Sequence, residues 1–447
     1  MNRKVHVRRK IVGFRSRVRF RDGAFIRSRL RPLTWVAEFC LHPLMGGRSR
    51  ITSAMWRSML AHYHPIVDMS QDQKRNIVII GGGIIGCTTA YYLTRHPTYS
   101  PSTTSITVLE TSAHGVAQGA SGKAGGLVAK WAFPSKIVDI SFPEHVKLAN
   151  EHNGKERWGW RFVSCGSWEG HGEDLTHHVN TGLIMGGKVV IEASPEISSP
   201  KDGSNHPDDL NWVKRDLTKS YRPMSAPDGT AQVHPYLFTT SMMDLAVEKG
   251  AILVRGSATA IEQENGRVSG VRYDDPSDDT SKVIPATHAV LSAGAWSPGI
   301  VPSLPVSAIR AHSVTVRPSP DVTIAPYVLF TEITLPGGKV ATPEIYARPD
   351  NEIYACGATD DLPLPANVDD VEVDQAACRS IWEHVASISM EFREATWEKR
   401  QACYLPAVSN GEGPVIGEAR TIAQGLYIAT GHTCWVRHSW QAHSPFL

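Results

Sequence analysis

"NIVIIGGGIIGCTTAYYLTRH" (Asn76 to His96) joins an apolar run, three consecutive glycines and a helix-like segment with no linker between them. Ile77 to Ile80 are all β-branched, the composition of a short strand buried on both faces of a parallel sheet. Gly81, Gly83 and Gly86 then satisfy GxGxxG: the first allows the tight turn, the second lets a pyrophosphate approach the backbone, and the third lets helix pack on strand. The predicted helix opens at Ile84 and Ile85, where unpaired N–H groups and the positive end of the helix dipole face an anion.

Glycine-rich turns also arise for steric reasons alone, so the surrounding sequence has to decide. "SITVLE" is a second strand-like run ending on Glu110, whose carboxylate can accept hydrogen bonds from both hydroxyls of a ribose; an acid there argues against a 2′-phosphate and hence against NADP. Glu110 falls 24 positions after Gly86, with "RHPTYSPSTTS" read as an enlarged loop that absorbs the excess. Nine residues later "GASGKAGGLVAKW" places four glycines between Gly119 and Gly126, with a hydroxyl at Ser121. Up to this point FAD and NAD are both open, but a second glycine loop suits an elongated flavin dinucleotide better. "THAVLSAGAWSP" runs a strand into Gly294, and "GLYIATGHTCW" runs another into Gly431. Strand C-termini are where ligands sit in an open parallel sheet.

The order GGGIIG, GASGKAGG, LSAGAWSP and ATGH resembles the FAD-dependent amino-acid oxidase (DAO) family, which includes D-amino-acid, glycine and sarcosine oxidases, and looks like its uncharacterised fungal branch. "EIYARPDNEIYACGATDD" is similar to that family's substrate-domain hairpin. The resemblance implies an α/β fold: a Rossmann-like FAD/NAD(P)-binding domain with a parallel sheet, interleaved with an antiparallel-sheet α+β substrate domain. It also implies FAD contacts at Gly81, Gly83, Ile84, Ile85, Gly86, Glu110, Ser121, Gly122, Gly125, Gly126, Ala258, Ala293, Gly294, Trp296, Gly431 and His432. Trp296 has a competing reading as a packing residue. No cysteine matches a motif for covalent flavin attachment, so noncovalent FAD is expected.

In the family a hydride passes from a C–H bond next to an amine nitrogen to the flavin, the imine hydrolyses, and oxygen takes up the electrons; the cofactor carries the chemistry. The implied substrate-facing residues are Tyr346, Arg348 as a carboxylate clamp, Tyr404 and His432. Two departures stand out. Many amino-acid oxidases carry an arginine directly before the proline of the stretch that reads "ACYLP" here; this chain has Leu405. After Trp435 the chain reads "VRHSWQAHSPFL" where the family has a glycine and a closing helix, which leaves an inactive or noncatalytic flavin-binding protein as an alternative. An NAD-dependent dehydrogenase using the first motif alone is the other; it predicts no role for Gly119 to Gly126.

Local signals give the organisation. Residues 1–73 form a basic arm expected to be disordered, 74–135, 233–304 and 400–435 the FAD-binding domain, 136–232 and 305–399 the substrate domain, and 436–447 an atypical tail. Ser194 to Asp209, rich in Pro, Ser, Asp and Gly, reads as an exposed insertion. "SMMDLAVEKGAILVRG" reads as a helix closed by Gly250 and followed by a strand, and Asn265-Gly266 as a two-residue hairpin turn.

The 447 residues are 41% hydrophobic and 20% charged, ordinary for a globular protein with well-buried cores. No apolar run reaches the roughly 18 residues of a membrane span. Residues 1–60 hold 15 Lys/Arg against Asp22 and Glu38, leaving 31 basic and 42 acidic residues in the remainder. The arm has the composition of an import presequence, but Arg15, Arg17, Arg19 and Arg21 would scatter around a helix. A cytoplasmic protein is therefore expected, with a mitochondrial one as the alternative and no nucleic-acid partner. Seven scattered cysteines with no CxxC pair favour reduced thiols and no metal site. The expected partners are a small amine or amino acid and oxygen.

Overall fold

The computed structural model describes residues 74–175, 204–409 and 413–433. The basic arm, the tail at 436–447 and most of the expected insertion lie outside them. Two sheets organise the described chain. The first has six strands in the order Val415–Glu418, Leu426–Thr430, His288–Leu291, Arg75–Ile80, Thr104–Glu110, Ile252–Arg255. All its pairings are parallel except that of Val415–Glu418 with Leu426–Thr430.

Arg75–Ile80 is central, with Ile79 facing Val290 on one side and Val108 on the other. Because it is covered on both faces, its side chains need no polar alternation, which is why the sequence is an unbroken β-branched run. Ile79, Ile106 and Val108 pack under the helices Ile84–Leu93 and Pro235–Val247 through Cys87, Ala90, Phe238 and Met242. On the other face Val78, Ile80, Ala289 and Leu291 meet Val268, Val271 and Tyr273. These come from an antiparallel three-stranded sheet, Ser257–Glu264, Arg267–Asp275 and Thr280–Pro285. Its turn has Asn265 at φ 51° and Gly266 at φ 73°, the geometry of a two-residue hairpin loop. The helix Pro235–Val247 ends in Gly250 at φ 101°, and Ile252–Arg255 follows.

The second sheet orders Thr396–Val408, Val306–Arg317, Ile353–Asp360, Glu344–Ala347, Tyr327–Thr334, Ser164–His171 and Thr218–Pro223, with Val340–Ala341 added on Tyr327–Thr334. It is antiparallel apart from the pairing of Tyr327–Thr334 with Ser164–His171. Val314, Leu329, Ile345, Ile353 and Ala355 point to one face and pack on the helix Gln375–Ala386 through Cys378, Ile381 and Val385. Asp374 caps that helix, accepting from the Ala376 and Ala377 amides at 2.8 and 3.2 Å.

The strand Thr396–Val408 runs straight across the boundary expected between 399 and 400, so residues 400–408 belong to this sheet. Their register with Val306–Arg317 depends on a partner about ninety residues earlier, which local composition does not encode. Among the described residues no helix is long and apolar enough to cross a membrane.

Candidate active site

The four glycine-bearing motifs converge at the C-terminal ends of the parallel strands. Gly81 has φ 103°, and a Cβ there would lie 2.7 Å from the Ser292 carbonyl oxygen; one on Gly86 would be driven into the Gly81 carbonyl oxygen. Glycine is required at both places by backbone. Ser292 Oγ donates to Ile80 O at 2.9 Å, and Thr430 Oγ1 donates to Gly294 O at 2.9 Å, tying the strand ends of the third and fourth motifs into the turn. Ala293 precedes the short turn Gly294–Trp296, in which Trp296 Nε1 donates to Pro365 O at 2.8 Å. Ala258 lies on the three-stranded sheet opposite Tyr273 and packs into the core beneath.

The helix Ile84–Leu93 starts after Gly83 with no side-chain cap of its own residues and no acid in its first turn. Instead the Ile84 amide donates to Ser121 Oγ, from the second glycine loop, at 2.9 Å. Glu110 accepts from the Gly82 amide at 2.6 Å and the Ser112 amide at 2.9 Å. Burial raises its carboxyl above the ordinary glutamate value, against the pull of those amides. Asp369 closes over the same loop, accepting from Ser112 Oγ at 2.5 Å and the Ala113 amide at 2.8 Å. A helix N-terminus with no acid in its first turn, side-chain-free backbone at Gly83 and a carboxylate at a neighbouring strand end suit a dinucleotide's diphosphate and ribose, so these residues fit FAD.

The second glycine loop reaches further. A Cβ on Gly125 would lie 2.6 Å from the Tyr346 ring, Tyr354 Oη donates to Lys123 O at 3.0 Å, and an Arg348 N–H donates to Ala124 O. Gly122 and Gly126 leave no room for a Cβ beside the Ala117 and Val233 carbonyls. One loop therefore touches both the helix N-terminus and the eight-stranded sheet.

Arg348 is buried. Its Nη1 donates to Glu352 Oε2 at 2.8 Å and its guanidinium carbon sits 4.4 Å over the Tyr354 ring. Burial pushes the Glu352 carboxyl up, but the charge and hydrogen bond of Arg348 outweigh it and hold the group below the usual range. A guanidinium engaged in this way is committed to the protein, which is not the open clamp expected for a substrate carboxylate.

Directly paired residues in a sheet share a face. Tyr404 pairs with Arg310, and Leu405 with Ile309. Tyr404 and Arg310 therefore face away from Tyr346 and Tyr354: Tyr404 Oη donates to Pro363 O at 2.8 Å and Arg310 is bidentate on Asp360. Leu405 is on the near face. His432 stands in the turn after Leu426–Thr430; Gly431 has φ 79°, and the Thr433 amide donates to Pro406 O at 2.9 Å. Burial lowers the imidazole to about 4, so it is neutral at physiological pH.

Two rows of side chains cross the near face. Cys165, Val328, Tyr346 and Tyr354 are sealed against Leu127 and Trp131. The neighbouring row, Ser167, Phe330, Glu344, Cys356, Ser313 and Gln401, is half-buried apart from buried Ser313. Sequence reasoning missed Glu344, whose Oε2 accepts from Tyr346 Oη at 2.7 Å and lies 3.8 Å from Cys356 Sγ. The two-residue spacing from Tyr346 was a usable signal for it. Nothing local marks Ser313 and Gln401, which reach this row by register alone.

The sequence profile of the DAO family, described as FAD dependent oxidoreductase, matches residues 76–440. The chain is 32% identical to "Putative oxidoreductase TDA3" of Saccharomyces cerevisiae, over 82% of this chain and 89% of that one. Among solved structures it resembles iminodiacetate oxidase from Chelativorans sp. BNC1 at TM-score 0.57 and 19% identity, covering 80% of this chain and 90% of that one. It also resembles glycine oxidase from Bacillus cereus at TM-score 0.57 and 17% identity, covering 80% and 92%. These two share the fold.

Proposed function

The chain belongs to the FAD-dependent oxidoreductase family DAO, and from that premise we propose that it oxidises a C–N bond of a small amine or amino acid, with noncovalently held FAD and oxygen as electron acceptor. Bound FAD would supply the two-electron acceptor for a hydride leaving the carbon beside the nitrogen. The observation that carries the reading is the loop Gly119 to Gly126, whose Ser121 meets the helix N-terminus while Gly125 meets Tyr346. In that reading Glu110 would hold the adenosine ribose, and the sheet face beyond Gly125 would border the reactive ring. The nicotinamide alternative assigns the loop no such role.

In this reading Gly81, Gly83, Ile84, Ile85, Gly86 and Ser121 hold the diphosphate, and Ala258, Ala293, Gly294, Trp296 and Gly431 border the cofactor. Neutral His432 faces the substrate, whereas Tyr346, expected to do the same, is buried beneath the Gly125 loop and supports that face from below. Arg348 acts as a positioning residue by holding the loop carbonyl of Ala124, and Tyr404 ties its own strand to the segment at Pro363 on the far face. The parallel and three-stranded sheets form the cofactor domain, and the eight-stranded sheet forms the substrate domain. Cytoplasmic residence without a nucleic-acid partner belongs to the same proposal.

The names of the iminodiacetate and glycine oxidases support an amine nitrogen at the reacting centre. The test is a visible spectrum of the purified chain, then acid or heat denaturation, then an amine and amino-acid panel with peroxide detection. A flavin band released by denaturation and peroxide from at least one amine are expected. A colourless folded protein, or flavin that stays attached to the denatured chain, overturns the corresponding part.

A further inference from the structure

Residues 361–374 join the strand Ile353–Asp360 to the helix Gln375–Ala386, and the turn Val368–Asp370 is their one piece of regular structure. Loops longer than about 12 residues without structure of their own are uncommon in compact domains and are usually functional. This one is fastened at both ends to the far face of the eight-stranded sheet. The Leu362 amide donates to Asp360 Oδ1 at 3.2 Å, Arg310 Nη1 donates to Glu372 O at 2.9 Å, and the Asp374 amide donates to His312 Nε2 at 3.2 Å.

Its middle crosses to the glycine motifs. Pro365 O accepts from Trp296 Nε1 in the third motif, and Val368 Cγ2 lies 3.7 Å from where a Cβ on Gly119 would stand in the second. Asp369 accepts from Ser112 Oγ and the Ala113 amide, while Asn367 Oδ1 accepts from the Asp369 amide at 3.1 Å and keeps the tip in its turn. Ser112 is also held by Glu110, whose Oε1 accepts its amide. The turn after Glu110 is thus gripped by two carboxylates, one from its own strand and one from this loop.

Electrostatics alone gives Asp369 the wrong sign for a cofactor site. The Glu110 carboxyl is raised first by burial and, among smaller causes, by the charge of Asp369. An anionic dinucleotide would feel the same repulsion. A carboxylate placed here favours such a ligand only by holding the turn.

We propose that residues 361–374 are a strap through which the substrate half retains the cofactor, with Asp369 as its catch, a positioning residue that acts through Ser112 and Ala113. This rests on the flavoenzyme reading above. The strap and the dinucleotide then stabilise one another, because each favours the same position of the turn after Glu110.

The experiment loads the full chain with FAD, dilutes it and follows release by the recovery of free-flavin fluorescence, so turnover is not required. Asp369→Ala and Ser112→Ala should each release FAD about fivefold or more faster, a discounted charge-assisted bond because Asp369 is exposed. The double variant should release no faster than the singles, since both remove one interaction. Release from either single variant tests the catch if the other does not fold. Hydrogen exchange across 361–374 supplies the reciprocal reading: FAD should slow it in the unmodified chain and not in Asp369→Ala. Release that is unchanged or slower in the single variants, effects that add in the double, or exchange that ignores FAD overturns the proposal. Those outcomes on FAD-loaded protein overturn it alone, whereas a chain that takes up no FAD removes the flavoenzyme reading with it.

Discussion

Around Gly81 and Gly86 the protein excludes side chains: main-chain oxygens of Ser292 and Gly81 occupy the space a Cβ would need. Around Glu344 the reverse holds, because six side chains from six strands form a row and almost no backbone is presented. A site made of backbone is written in glycine spacing and is local in sequence. One made of side chains is written in register, which strands far apart in the chain decide together. Substitutions should therefore act all-or-none in the first region and by degrees in the second.

The sharpest way to break that contrast is Gly86→Val beside Gly119→Ala. At Gly86 the added carbon meets a main-chain oxygen that no rotamer change can move, so no flavin band and little folded protein are expected. At Gly119 the nearest atom to an added Cβ is Val368 Cγ2 at 3.7 Å, an ordinary contact, and Gly119→Ala should keep its flavin. Flavin absorbance per mole of protein checks both, and a yellow Gly86→Val would end the distinction.

The next effect belongs to the side-chain region. Arg348→Met leaves Glu352 buried without its partner, which should cost about 3–5 kcal/mol in denaturant unfolding, and the double variant Arg348→Met/Glu352→Met should recover most of it. A double variant no more stable than the single one would mean that the pair is not what the stability depends on.

Acid sensitivity is expected from a buried imidazole packed outside both regions. His145 stacks on Trp160 and tilts against Phe238, and burial lowers it to about 4. The unfolded imidazole takes up its proton near pH 6.5, the folded one only near 4, so stability falls as pH falls through that window, by up to about 3 kcal/mol. His145→Phe should flatten this part of the Tm-against-pH curve; an unaltered slope would remove His145 from the account. The smallest effect concerns the far face. Tyr404→Phe removes the bond to Pro363 O and should cost about 1 kcal/mol while leaving amine-driven flavin reduction unchanged. A large loss of reduction rate would return Tyr404 to the reacting centre.

The same contrast explains what could be read in advance. The strand–glycine–helix turn, Glu110 at its strand end, the hairpin at Asn265-Gly266 and the helix ending at Gly250 all follow from a few adjacent residues. Tyr404 and Leu405 are neighbours in sequence, and only the pairing with Ile309 and Arg310 tells which of them looks toward Tyr346. Asp369, which grips Ser112 from a loop more than 250 residues away, had no local signature at all. The fate of Arg348 was hidden for a different reason: Glu352 is close in sequence, but whether it or a ligand receives the guanidinium depends on the turn between them.

The order of strands in the parallel sheet has a consequence for biosynthesis. Leu426–Thr430 lies inside that sheet, between Val415–Glu418 and His288–Leu291, though it follows His288–Leu291 in the chain by well over a hundred residues. Until it leaves the ribosome, His288–Leu291 keeps an unpaired apolar edge, and the sheet begun at Arg75 waits for more than three hundred further residues. Such long-range closure is slow and exposes sticky intermediates. Chaperone demand during synthesis is thus a property of the strand order.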